Sequence, residues 1–585
     1  MGVTVHASSP AAVADELKNH RPWVRWGVVS AVLVALFFLV AQPLGWILYN
    51  SFHDDQTQAL TVGNYLRLFT AKGLLQPLIN SIVLAFSTAL LSTLLGVPLA
   101  WFVARTNMPG RSWIRLLTLA AFVTPSFIGA LGWILLAAPN AGWLNGLFRA
   151  ATGSASPLMN IYSMGGAIFV CAIYTVPYTF TIVASALDEM AVELEDAATT
   201  LGAGVLRTMM SVTIPMVMPA VIVGFILSFI QGMTLFGVPA FLLTPSGTAV
   251  VTTKLAEFYQ LFPPEIYMAA AYCMPLILLT GGLFWVRKKI LGRKRFVMIG
   301  GKSRAGRKVD LKAWRWPALA FALIVPVTAV LLPYFALVVV SLSKAWGQGP
   351  SLDNLTLHWY QWAVLDNPAT QSAIVNSLAY ASVSATLCVL LGTLIAYIVE
   401  RRLVSGTSFI ASLTNFPIII PGIVLSVGFF AAYTQPPLNL YGTAAILVAA
   451  FVATFLPIAF SNGEATLKGI SPDLERVARI LGASEARTFS SITVPLMRSG
   501  LVSGWLLVFI PVMRELSVAV FLITPKTNVM TTLIYNYKDG GNYEAVAAAS
   551  VLLLVGTMAV VAIAQWVNVK LARHKRDRAE AEVVQ

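Results

Sequence analysis

Apolar runs long enough to span a bilayer recur along the whole sequence, and they constrain this chain more than any other feature. A helix of about 20 apolar residues crosses a hydrocarbon core of about 30 Å. Inside lipid every backbone polar group must be satisfied within the protein, so such runs specify packed helices. Twelve spans are expected, at roughly 26–48, 79–103, 115–137, 163–186, 213–237, 266–286, 317–343, 375–399, 407–433, 441–463, 493–521 and 546–568. The composition agrees, with 57% of 585 residues hydrophobic and 11% charged, against roughly 25% charged in soluble domains. The expected class is an all-α polytopic membrane protein. The segment before the first span is polar and mixed, and the run after it is too long for a secretory signal, so that span is expected to stay in place.

The chain carries 39 Lys and Arg against 25 Asp and Glu, a net charge of +14. These charges cluster between the spans, which points to membrane orientation rather than nucleic acid. Arg105, Arg111, Arg115, Arg401, Arg402 and the tail residues Lys570, Arg573, Lys575, Arg576 and Arg578 fall on one side. Only Arg67, Lys72, Arg149, Lys254, Lys344, Lys526 and Lys538 fall on the other. The positive-inside rule puts both termini in the cytoplasm. Cys171, Cys273 and Cys388 lie inside spans, leaving no disulfide framework and no Cys-based metal site. With five His and no Ser-His-Asp set or H-E-x-x-H motif, catalysis within this chain is not expected.

Two copies of one unit make up the sequence. Asn80–Arg105 aligns with Asn376–Arg401 at an offset of 296, with eleven of 26 positions identical, Gly96/Gly392 and Arg105/Arg401 among them. Farther on the offset is 280, pairing Gly202 with Gly482, Ala203 with Ala483 and Pro215 with Pro495. The expected organisation is a cytoplasmic segment 1–25, a six-span half 26–286, a basic linker 287–316, a second six-span half 317–568 and a basic tail 569–585. The linker holds twelve basic residues and one acid, Asp310, and reads as an orientation anchor on anionic lipid. Its Gly301-Lys302-Ser303 ends like a phosphate-binding loop, but Phe296 stands where the first glycine belongs.

Between the fourth and fifth spans of each half lies a patterned cytoplasmic loop, about 190–212 and 470–492. Each has a helix-favouring stretch ending in Leu-Gly-Ala, a second stretch, then a Pro expected to open the next span. Gly202 and Gly482 stand where a C-terminal glycine allows a sharp turn. A short exposed helix present twice reads as a docking device for a paired partner.

At these loops the sequence resembles the binding-protein-dependent ABC transporter permeases, whose pattern is E-A-A-x3-G-x9-I-x-L-P. Copy one matches with Asp196-Ala197-Ala198, Gly202 and Val212-x-Ile214-Pro215; copy two with Arg476-Val477-Ala478, Gly482 and Ile492-x-Val494-Pro495. Asp replaces Glu in the first and Arg-Val replaces Glu-Ala in the second, with Glu195 and Glu475 just before. The resemblance covers nearly the whole chain, and fused permeases of this length are most similar to the ferric-iron importer type, with relatives for thiamine, phosphonates and polyamines. It implies two ATP-binding-cassette subunits docked on Glu195, Asp196, Ala197, Ala198, Gly202, Ala203 and Pro215, and on Glu475, Arg476, Ala478, Gly482, Ala483 and Pro495. It also implies that those subunits bind ATP and Mg, that this chain holds no cofactor, that a periplasmic binding protein delivers substrate, and that the site of action is the bacterial inner membrane.

Ionisable groups at membrane depth cost at least about 2.5–3.5 kcal/mol each, which makes them functional candidates. Arg514 and Glu515 are the clear pair, and their first-half equivalents are Thr234 and Leu235. Successive helical residues point about 100° apart, so one is expected to line the pathway while the other pairs elsewhere. Glu515 suits a hard cation such as Fe(III), which takes oxygen ligands, and is the one transient metal candidate; Arg514 suits an anion or a chelated complex. Gln231, Thr234, Tyr174 and Tyr178 are weaker pathway candidates. The rival class is a twelve-span transporter driven by a proton or sodium gradient, with Glu515 as its coupling carboxylate.

Overall fold

A computed structural model of the chain describes residues 22–54, 57, 59–293, 308–434 and 438–583. Most of the N-terminal segment 1–25 lies outside the described residues, as do 294–307 of the linker with its Gly301-Lys302-Ser303. The first half comprises α1 (Trp26–Ser51), α2 (Leu75–Arg105), α3 (Arg111–Val123), α4 (Ser126–Ala137), α5 (Met164–Glu189), α6 (Glu193–Thr200), α7 (Val205–Thr234), α8 (Val251–Gln260) and α9 (Ile266–Arg293). The second comprises α10 (Lys312–Ser341), α11 (Pro368–Glu400), α12 (Thr407–Ile419), α13 (Gly422–Tyr433), α14 (Ala444–Lys468), α15 (Pro472–Ile480), α16 (Glu485–Leu496), α17 (Arg498–Met513), α18 (Met530–Asp539) and α19 (Tyr543–Val583).

Nine helices among the described residues are long and apolar enough to cross a membrane, or up to twelve if each of three bent pairs is one span. The bent pairs fall in three of the twelve expected spans. The third and ninth, 115–137 and 407–433, break by 102° between α3 and α4 and by 110° between α12 and α13. Pro125 and Pro421 stand at the breaks and push Thr124 (ψ 121°) and Ile420 (ψ 126°) out of the helical region. The eleventh, 493–521, bends by 74° between α16 and α17 and stops at Met513. The fifth, 213–237, stops at Thr234. Linker and tail also differ from expectation: α9 runs into the linker as far as Arg293, α10 begins within it at Lys312, and α19 continues through the tail to Val583.

Prolines shape the long helices in a second, repeated way. Widened π turns cover Phe37–Ala41, Met209–Thr213, Val327–Leu331 and Phe489–Thr493, each ending two residues before Pro43, Pro215, Pro333 and Pro495. Proline lacks an N–H and its ring clashes with the carbonyl four residues back, and one widened turn relieves that clash without ending the helix. Pro215 therefore sits inside α7, which begins ten residues earlier at Val205, rather than opening a span.

Each π turn leaves carbonyls with no donor of their own, and two of these bind the halves together. In α1 the N–H of Gln42 bonds Phe37 and Pro43 has none, so the Phe38 carbonyl accepts from Tyr433 Oη of α13 at 2.5 Å. In α10 the N–H of Leu332 bonds Val327 in the same way, and the Thr328 carbonyl accepts from Trp133 Nε1 of α4 at 3.0 Å. The first helix of each half thus packs on the broken span of the other half. Gly132 and Gly428 permit the approach: a Cβ on Gly132 would lie 2.6 Å from Pro333 Cβ, and one on Gly428 would lie 2.9 Å from the Pro43 carbonyl oxygen. Within each half the core is built from α2, α5 and α7 and from α11, α14 and α17.

Candidate coupling loops and transport pathway

The two loops fold alike. α6 and α15 both end in a Schellman turn, in which the Ala203 N–H bonds the Ala198 carbonyl and the Ala483 N–H bonds the Ala478 carbonyl, each at 3.0 Å. Gly202 (φ +83°) and Gly482 (φ +88°) occupy the left-handed position, and a Cβ at either would meet nothing within 4 Å. Glycine is needed there for its backbone, and the space around it is open. Beside it Leu201, Leu481 and Ile480 are 89%, 82% and 77% exposed. These three large apolar side chains stand at the tips of exposed helices, beside the two glycine turns.

The loop glutamates do something else. Glu475 is buried: Arg401 Nε donates to both its oxygens at 3.2 and 3.1 Å, Arg401 Nη2 to Oε1 at 3.0 Å, and Thr493 Oγ1 to Oε1 at 3.1 Å. Glu195 repeats this more loosely, accepting from Thr213 Oγ1 at 2.6 Å and lying 3.7 Å from Arg105 Nη1. Arg105 and Arg401 sit at the feet of α2 and α11, and Thr213 and Thr493 close the π turns of α7 and α16. Each carboxylate therefore fastens its loop helix to two other helices at once, α6 to α2 and α7, and α15 to α11 and α16. Glu195 and Glu475, expected as partner contacts, face inward, because two cation-bearing and hydroxyl donors within the fold claim them. Ala478 is also buried, whereas Asp196, Ala197, Gly202, Pro215, Arg476 and Gly482 are exposed and Ala198, Ala203 and Pro495 half-buried. The sequence marked Arg105 and Arg401 as identities of the repeat and as orientation charges; a charged residue closing an apolar span was the available signal for their further role.

Five of the six pathway candidates come together. A cavity of about 140 Å³ is lined by Tyr174 and Tyr178 of α5, Gln231 of α7, the Pro125 break, and residues 514–517 of the second half. Thr234 is not part of its lining; its hydroxyl turns back to the Gln231 carbonyl at 3.3 Å. Arg514 and Glu515 are not successive helical residues as expected, because α17 ends at Met513 and they form the turn after it. Both therefore reach the same cavity. Tyr174 is partly structural: its hydroxyl donates to the Ala329 carbonyl, freed by Pro333, at 2.7 Å. Among the described residues no group of three His, Cys, Asp or Glu could hold a metal ion.

A duplicated helix bundle around a polar cavity, with a fastened docking helix in each copy, defines the membrane-spanning pathway subunit of a transporter. The chain belongs to the family of binding-protein-dependent transport system inner membrane components, which residues 96–294 and 389–573 match. It is a fused, two-copy permease of the ABC importer type. It is 26% identical over 551 residues to the ferric transport system permease protein FbpB of Actinobacillus pleuropneumoniae, covering 92% of this chain and 78% of that one. It is 25% identical over 502 residues to the putative ferric transport system permease protein FbpB 1 of Haemophilus influenzae, covering 85% and 78%. A putative 2-aminoethylphosphonate transport system permease protein PhnV of Salmonella choleraesuis is 27% identical over 243 residues, 41% of this chain and 91% of that one.

Proposed function

We propose that this permease imports ferric iron across the bacterial inner membrane by alternating access, with both termini in the cytoplasm. Two separate ATPase subunits, which carry ATP and Mg, dock on α6 and α15, one to each half (26–286 and 317–568). A periplasmic binding protein delivers substrate to the outer face, and lipid surrounds the spans. The observation that carries docking is the pairing of exposed apolar tips with buried Arg–Glu ties, which lets force applied at the tip reach α2 and α7, or α11 and α16. Iron is favoured over a phosphonate because similarity to ferric permeases extends over 92% and 85% of the chain.

The permease, its ATPase and its binding protein reconstituted in proteoliposomes should accumulate radiolabelled iron only with ATP, with two ATPase copies per chain by native mass. Uptake that ignores ATP and follows an imposed proton gradient would instead establish the gradient-driven transporter, with Glu515 as the first residue to replace.

A further inference from the structure

Arg514 and Glu515 enter the central cavity together, but the fold uses only one of them. The turn after α17 claims the carboxylate: Glu515 Oε1 accepts the Val518 N–H at 3.1 Å. Arg514 takes part in none of the ion pairs among the described residues. Its half-buried guanidinium, with five donors in a planar fork, faces a space walled in part by Phe122, Phe127 and Leu516. The Glu515 carboxylate beside it offsets part of the cost of burying that charge, but no hydrogen bond among the described residues uses its N–H donors.

Several other polar groups of the wall are already committed. The Thr175 hydroxyl donates to the Ala172 carbonyl at 3.0 Å, Thr124 pairs with Tyr334 at 2.7 Å, and Tyr174 holds Ala329. Tyr178 and Gln231 bring further donors from the first half. The open hydrogen-bond donors of the cavity are therefore chiefly those of Arg514, beside a carboxylate that already accepts from the turn. The first half has Thr234 at the equivalent position, so the guanidinium has no counterpart there.

Resting on the importer reading above, we infer that this cavity is an oxyanion subsite, in which Arg514, with Tyr178 and Gln231, holds an oxygen-rich anionic group of the permeating species. The volume, about 140 Å³ against ~30 Å³ per water, fits one small oxyanion with a metal ion or a few waters. Guanidinium matches such groups with two parallel hydrogen bonds, which a lysine cannot reproduce. The oxyanion has two possible sources: it travels as a ligand on the ferric ion, or it is the head of a phosphonate-like substrate.

The test offers the reconstituted complex ⁵⁵Fe(III) and ³²P-labelled inorganic phosphate on its outer face, with unlabelled ATP confined to the ATPase face. Co-accumulation of both labels in a fixed ratio, lost at least tenfold in Arg514→Gln and only partly in Arg514→Lys, supports a subsite that handles a ferric–oxyanion species. Accumulation of ³²P without ⁵⁵Fe supports the subsite and overturns iron as the substrate. Iron uptake with no ³²P, or full co-uptake by Arg514→Gln, overturns the subsite and leaves the importer reading standing. With ATP on the ATPase face alone, phosphate is the sole polyvalent oxyanion on the outer face. Arg514→Gln is scored only as the assembled complex with its ATPase, and if it fails to assemble, Gln231→Leu replaces it with the same outcomes.

Discussion

The two coupling helices descend from one repeat but are fastened differently. In the second copy Arg401 holds Glu475 through both oxygens, the Glu475 side chain is 2% exposed, and Ser471 caps the start of α15. In the first copy the Glu195 side chain is 14% exposed, the ion pair is 3.7 Å long, the Arg105 Nε is buried without an acceptor, and α6 has no side-chain cap. What the first copy lacks internally it gains from the linker: the Val309 N–H bonds the Arg105 carbonyl at 2.9 Å, and Asn107 Nδ2 donates to Asp310 at 2.7 Å. One helix is rigid by its own contacts, and the other is steadied by the segment that joins the halves. A fused chain can therefore present two unequal docking sites to its partners.

The widest difference should appear at the glutamates. Glu475→Ala strands Arg401 as an unpaired buried charge and should cost about 3–5 kcal/mol, whereas Glu195→Ala should cost about 1–3 kcal/mol. Chemical denaturation of the purified chain measures both, and equal losses would break the comparison.

Next come the tips. Ile480→Ser with Leu481→Ser should weaken ATPase binding by about a hundredfold or more, since burying each such side chain contributes about 1.5–3 kcal/mol. Leu201→Ser, a single tip residue, should weaken it by about tenfold. Titration of the ATPase onto immobilised permease reads these values; unchanged stability of the variants separates docking from folding.

Smaller and equal effects are expected at the turns. Gly202→Val and Gly482→Val force a branched side chain into the left-handed region, at about 1–2 kcal/mol or somewhat more. ATP-driven uptake should be lost while membrane insertion stays intact. Transport at the normal rate in either variant would show that its turn is not used.

The smallest effect is one of pH. The Lys312 N–H, the Asn107 amide and the charges of Lys312 and Arg315 hold the Asp310 carboxyl below the usual carboxylate range. A lowered pKa gives stability above the ordinary value of about 3.9 that disappears as pH falls through the folded value. The linker clasp should therefore loosen only below about pH 4. Proteolytic cleavage near Asp310 rising in that window, and not at α15, would sharpen the contrast between the halves.

Much of this was legible from the residues. Apolar length located the twelve segments, and the repeated Leu-Gly-Ala located both docking loops, because a helix stop needs a glycine that sequence shows directly. The breaks at Pro125 and Pro421 were less legible, since proline in a spanning helix can either kink it or end it. The inward turn of Glu195 and Glu475 was not legible, because their partners Arg105 and Arg401 lie 90 and 74 positions earlier.

The sequence by itself determined that this chain crosses a membrane many times, that it is two copies of one unit, and that each copy carries the same helix–glycine–helix loop. Those properties depend on local composition, spacing and self-similarity, which lie within one stretch of chain. Only the tertiary structure decided that the first helices are exchanged between halves, that the loop glutamates are internal ties, and that Arg514 and Glu515 share one cavity. Each of those depends on where an unpaired carbonyl, a buried charge or a helix end finds its partner, and that partner is distant in sequence.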